Sequence, residues 1–186
     1  MQQEVKNMKN EEIRKQDKNK NENKTPDVKT PGEEILRERL MALAEDSCVR
    51  QKDTTNGMMA PEFLRVDPES ATAVFRYIVH PWEANRVGGL HGGIMASMLD
   101  HACGLTATAW LGHWAPTMSM NIDYIRPAEI GDRLLAAATV VSLGRRLIRM
   151  RGELRNEATG KVVAACSATF FNKEEILSNP KGRITV

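Results

Sequence analysis

Nowhere in the chain's 186 residues is there a run of about 18 apolar side chains, which excludes a transmembrane helix. The N-terminus lacks the apolar stretch of a secretory signal. With Arg14 as its lone arginine against six acids, it is also unlike the Arg-rich, acid-poor presequence of a mitochondrial protein. Cysteine is scarce. Cys48, Cys103 and Cys166 are odd in number, far apart and without C-x-x-C spacing, so neither a disulfide framework nor a zinc site is expected. A surplus of one charge is missing too: residues 31–186 hold 18 basic and 18 acidic side chains, which gives no electrostatic footprint for DNA or RNA. These absences predict a cytoplasmic protein that binds no nucleic acid and inserts into no membrane.

What is present divides the chain in two. Residues 1–30 mix eight basic, six acidic and five asparagine side chains with no apolar period, which reads as a solvated, disordered or fraying helical tail closed by Pro26 and Pro31. Ile35, Leu36, Leu40, Leu43 and Ala44 then recur near 3.6-residue spacing and predict a helix over 33–46. From Met58 the period becomes two. Strands are expected over 71–80, over the alternation Met118, Met120, Ile122, Tyr124, over 134–143, along Ile148, Met150 and Leu154, and along Val162 to Phe170. Gly131-Asp132, Gly144-Arg145 and Asn156 to Gly160 supply turns. Between these strands, Gly92 to Leu111 has no proline and is apolar almost all round, as a buried helix should be. The expected class is α+β, an antiparallel sheet wrapped around a long central helix. The four strands after that helix, joined by short turns, are expected to form a meander or similar antiparallel sheet.

The segment from Asn85 to Gly93 leads into the central helix and is rich in glycine. The amides of a helix's first turn have no partner inside the helix, and its dipole adds partial positive charge, so a buried start is suited to an anion or oxyanion. Close helix–sheet packing explains the glycines equally well. Asp100 lies mid-helix among apolar residues, where a carboxylate needs a partner or a task. Either it is solvated or paired with His101, or it faces a cleft as nucleophile or general base. Gly92 and Asp100 are eight residues apart, about 12 Å along one helix, so a site using both needs the helix of a second copy.

The pattern Asn85-x5-His91-Gly92-Gly93-x6-Asp100, followed by Pro116-Thr117 and by Asn-Ile-Asp-Tyr124-x-Arg126-Pro127, resembles the hotdog-fold acyl-CoA thioesterases of the phenylacetic acid degradation type. The likeness runs over about residues 58–171 and takes in Asn156-x-x-Thr159-Gly160-Lys161. It implies a hotdog domain over 31–186, assembled as a homodimer or dimer of dimers. The implied reaction is hydrolysis of an acyl-CoA to free acid and coenzyme A. No metal or redox cofactor is implied, coenzyme A being part of the substrate. By the same resemblance Gly92 donates its N–H to the thioester oxygen, and Asp100 of the partner subunit acts as nucleophile or base. Asn85 orients water or the acid, His91 flanks the oxyanion hole, and Thr117 places a hydroxyl near the acid. The phosphates of coenzyme A call for cations at the cleft mouth, for which Arg126, Arg145 and Arg146 are the candidates. The alternative is a non-catalytic acyl-CoA or lipid-binding hotdog module, against which the mid-helix acid argues. A hotdog hydratase or dehydratase would want its Asp/His pair at a different place.

Other side chains have plainer readings. The spacing of His91, His101 and His113 fits no familiar metal-ligand pattern. Cys103 reads as a buried thiol, and Trp110 and Trp114 as anchors at the helix end. Met95, Met98, Met118 and Met120 suit either the core or an acyl pocket.

Overall fold

The computed structural model of the chain describes residues 31–172; the tail expected over 1–30 lies outside them. Helix α1 spans Glu33–Val49 and a single turn, α2, spans Thr55–Met58. Strands β1 (Glu62–Asp67) and β2 (Thr72–Ile78) follow, then a 3-10 turn at Pro81–Glu83 and the long helix α3 (Gly92–Leu111). Strands β3 (Thr117–Tyr124), β4 (Arg133–Leu143), β5 (Leu147–Asn156) and β6 (Val162–Phe171) complete the described elements. All pairings are antiparallel, in one six-stranded sheet of order β1-β2-β4-β5-β6-β3. The α+β class expected from the periods is the one found. Among the described residues no helix is long and apolar enough to cross a membrane.

Alternation decides what each strand buries. Ala73, Phe75 and Tyr77 of β2, Leu134, Ala136 and Ala138 of β4, and Ile148, Met150 and Leu154 of β5 all turn inward with little or no exposure. Twelve of the twenty residues of α3 are buried, because the sheet covers one side of it and α1 packs on another. Leu36, Leu40, Ala44 and Ser47 form the inward face of α1, while Ile35 points out to solvent. Arg39 Nη1 donates to Ala109 O at 2.7 Å, fastening α1 to the last turn of α3. That helix stops at Gly112, whose φ of +77° is the left-handed conformation in which the N–H reaches back to Thr108 O.

The helix approaches the sheet along a row of small residues. Ala73, Ala138, Gly152 and Cys166 are cross-strand neighbours in sequence across β2, β4, β5 and β6. At Gly152 a Cβ would stand 2.6 Å from Cys166 Sγ, 3.0 Å from Leu99 Cδ2 and 3.1 Å from Cys103 Sγ, closer than packed atoms come. Gly152→Ala should therefore cost about 1–3 kcal/mol of stability, seen as a lower denaturant midpoint. Gly152→Ala/Cys166→Ala should recover most of that loss, since it removes the nearest sulfur.

Three expectations need correction. The first helix continues three residues beyond 46, held by Ser47, whose hydroxyl donates to Leu43 O at 3.0 Å. The strand read over 71–80 is Thr72–Ile78, because Val79 already bonds outside the ladder, to Asp132 O. Of the two arrangements expected after α3, the antiparallel sheet is found and the four-strand meander is not: only β4, β5 and β6 run in order, while β3 pairs with β6 at the sheet edge. Residues 125–132 must then cross from that edge to β4. On the way Ala128 O accepts from Leu90 N at 2.8 Å, so the crossing becomes a wall beside the start of α3.

Candidate active site

The start of α3 is built by the loop before it. Asn85 spends its side chain within that loop: Oδ1 accepts from Val87 N (2.9 Å) and Gly89 N (3.2 Å), and Nδ2 donates to Leu90 O (3.3 Å). Leu90 is buried against the crossing segment, and His91 N donates to Glu83 O at 2.8 Å. His91 is the N-cap. Its Nδ1 accepts from Gly93 N at 2.9 Å, and its carbonyl takes the N–H groups of Ile94 and Met95. Gly92 stands between them, and its N–H has no acceptor among the described residues.

That free amide borders a cleft of about 400 Å³. Leu90, Met95, Ile125, Pro127 and Ala128 make the cleft mainly apolar, and Tyr124 and Arg126 stand on its wall. The Tyr124 ring flanks Gly92, where a Cβ would meet it at 3.4 Å, an ordinary packing contact. Sequence reasoning placed Tyr124 in a strand alternation and in the motif that carries the resemblance, without a role of its own. The close approach of its ring to Gly92 arises from the edge position of β3, which no local pattern announces.

Asp100 is half-buried two turns further along α3 and accepts from Thr117 Oγ1 at 2.8 Å. It has no bond to His101, which turns the other way, into the core. There His101 Nε2 meets Ser47 Oγ at 3.1 Å and Nδ1 lies 3.5 Å from Tyr77 OH. The pairing of Asp100 with His101 considered from sequence is therefore not formed. Thr117 and Asp100 are brought together within one chain; Gly92 and Asp100, eight residues apart on one helix, are held about 12 Å apart.

The candidate cations separate. Arg126 lines the Gly92 cleft and donates from Nη1 to Val162 O at 2.8 Å. Arg145 and Arg146 sit exposed on the β4–β5 turn, next to Asn172, whose side chain meets His113 just past the far end of α3. They lie at the opposite end of a 20-residue helix, about 30 Å from Gly92 in the same chain. Met98 belongs to the core and Met95 to the cleft wall, while Met118 is exposed on β3. Trp110 anchors the core and Trp114 is about half exposed. Cys103 is fully buried against Cys166, and that neighbour together with burial pushes its thiol well above the usual range, as expected of a packing residue. Among the described residues no three His, Cys, Asp or Glu side chains gather as metal ligands.

An antiparallel sheet curled on one central helix, with a bare amide at the helix start and an acid two turns on, is the hotdog arrangement. The model of the thioesterase superfamily matches residues 87–163. A phenylacetic acid degradation-related protein of Ralstonia eutropha superposes with a TM-score of 0.58 at 31% identity, covering 62% of this chain and 86% of that one. The chain belongs to the thioesterase superfamily. Human acyl-coenzyme A thioesterase 13 is 37% identical over 82 residues, 43% of this chain and 58% of that protein. The chain thus spans less than two thirds of this curated relative. The medium/long-chain acyl-CoA thioesterase YigI of Escherichia coli is 28% identical over 134 residues, 62% of this chain and 83% of that protein.

Proposed function

We propose that the chain is a cytoplasmic acyl-CoA thioesterase that works as a symmetric dimer and uses no metal or redox cofactor. The observation that carries this reading is the unpartnered Gly92 N–H at the head of a buried helix, on the wall of an apolar cleft. An acyl chain fills such a cleft, and an amide fixed in that position stabilises the oxygen of a tetrahedral intermediate. The names of the human and E. coli relatives support the same substrate class.

The dimer follows from reach. One carbonyl cannot touch both Gly92 and Asp100 of one chain, so the acid comes from the partner subunit. The outer edge of β3 is unpaired among the described residues and carries exposed Met118 and Tyr124, so edge-to-edge pairing of two β3 strands would cover it. In the base route, Asp100 of the partner subunit takes a proton from water as the oxygen attacks the thioester carbon. Gly92 N–H holds the oxyanion, and its collapse breaks the C–S bond. The coenzyme A thiolate leaves and gains a proton. In the nucleophile route Asp100 attacks the carbon itself, and water then hydrolyses the mixed anhydride. Thr117 holds the carboxylate in either route; Thr117→Val should lower turnover by about tenfold or less, the worth of one charge-assisted hydrogen bond at an exposed site.

The test is release of free thiol from a panel of aryl and aliphatic acyl-CoAs, with the assembly mass measured in parallel. Turnover by a dimer or tetramer is the expected result. Tight acyl-CoA binding with no thiol release from any member would overturn the reading in favour of a binding module.

A further inference from the structure

Glu83 is the only acid among the described residues that is buried in the core, at 1% exposure. It closes the 3-10 turn after β2, immediately before the loop that feeds α3. Its Oε2 accepts from His80 N at 2.8 Å, while Oε1 is shielded from solvent and has no partner among the described residues. Burial pushes its carboxyl above the usual range. A buried carboxyl with one oxygen unsatisfied opposes folding, which sets Glu83 apart from the solvated acids of the chain's surface.

The bonds around it lead to the oxyanion donor. Glu83 O accepts the His91 N–H at 2.8 Å, and Ala84 and Leu90 form an antiparallel bridge, so the Glu83 segment and the His91 segment lie side by side. The Glu83 side chain clamps the other end of the turn to His80, next to Val79, which is itself tied to Asp132 O and Gly131 N. The carboxyl therefore fixes the turn whose carbonyl sets His91. The His91 ring in turn holds Gly93 N, leaving Gly92 N–H without an acceptor among the described residues, beside the cleft. We propose that Glu83 is a positioning residue for the Gly92 amide, acting through the His80–Glu83 turn and His91 without touching substrate. The proposal rests on the thioesterase reading for its kinetic readout alone.

Three substitutions test it. Glu83→Asp keeps the acid but shortens the side chain by one methylene, so the carboxyl no longer reaches His80 N. Glu83→Gln keeps both the length and the acceptor. Glu83→Ala removes both. Glu83→Asp and Glu83→Ala should lower kcat at least tenfold with KM within about threefold, because a misplaced donor hurts the transition state more than the bound substrate. Glu83→Gln should restore kcat to within about threefold of wild type. Amide chemical shifts give a readout independent of turnover: those of His91, Gly92 and Gly93 should move in Glu83→Asp, while those of Asp100 and Thr117 stay in place. If Glu83→Ala fails to fold, the Asp and Gln variants carry the comparison alone. Wild-type kcat in Glu83→Asp, or unmoved amides at 91–93, overturns the proposal. A wild-type protein that releases no thiol overturns the thioesterase reading instead, and the amide shifts still decide the positioning role.

Discussion

With Asp100 replaced by alanine, coenzyme A release is expected to fall by about 10²-fold or more, while assembly mass and thermal transition stay those of the wild type. The side chain is half-buried, and its one side-chain hydrogen bond among the described residues is to Thr117, itself exposed. Removing it leaves a hydroxyl that water can satisfy, so the structural cost is small and a loss of rate reports chemistry. Because Thr117 acts through the carboxylate, Thr117→Val added to Asp100→Ala should cost nothing more. Asp100→Asn keeps shape and the Thr117 contact but cannot take a proton, and it should be as inactive as alanine. A single turnover in heavy-oxygen water separates the two routes. Label incorporated into the Asp100 carboxyl marks the nucleophile; label found only in the product acid fits either the base or an anhydride opened at the acyl carbon, and a burst of thiol ahead of free acid marks the latter. Turnover of Asp100→Ala within threefold of wild type would remove this residue from the mechanism.

Elements that bury one face over several residues were legible in the sequence, and those shaped by distant partners were not. Helix α3 begins and ends where its composition predicts, since an all-apolar segment between glycines has no stable exposed alternative. Strands β4, β5 and β6 follow their alternation for the same reason. Strand β1 was missed because a register shift between Phe63 and Arg65 sets Leu64 out of phase and breaks the period of two. The turn α2 contains an Asn-Gly pair and rests on a cap from Thr54, whose hydroxyl accepts from Gly57 N at 3.3 Å. The pairing of β3 with β6 is non-local, so no pattern within β3 encodes it.

The site divides in the same way. Gly92, His91 and Asp100 stand at fixed spacing along one helix, so the motif carries their geometry directly. Asn85 was expected to orient water or the acid. Within one chain its amide instead holds the loop that shapes the helix start. Arg145 and Arg146 sit at the far end of α3 from the Gly92 cleft, whereas Arg126 lines that cleft in the same chain. Glu83 gave no signal at all, because Pro81-Trp82-Glu83 reads as an ordinary surface turn until its burial is seen.

Acidification should cost the fold up to about 3 kcal/mol through His101 alone. The ring is 6% exposed, and burial lowers its pKa to about 4 from the 6.5 of a solvated imidazole. The folded chain keeps it neutral down to that pH, whereas the unfolded chain takes up a proton near 6.5. Between these values the unfolded state binds more protons, so the contribution is complete above pH 6.5 and is lost as the pH falls toward 4. Two other groups also respond to acid. Glu83, with its raised carboxyl, acts with the opposite sign, and the hydrogen-bonded Glu157, held below the carboxylate range, loses its contribution only in stronger acid. The measurement is the denaturant midpoint at pH 7.5 and at 5, for wild type and His101→Gln. Glutamine can still meet Ser47 and Tyr77 but cannot titrate, so most of the difference between the two pH values should vanish in it. Because His101 joins α1 through Ser47 to the helix that carries Asp100, the loosening should begin there. Amide exchange along Leu36 to Ser47 should therefore rise on acidification before that of β4 and β5. Equal pH slopes in the two proteins would mean that the imidazole takes up its proton in the fold as readily as in the unfolded chain.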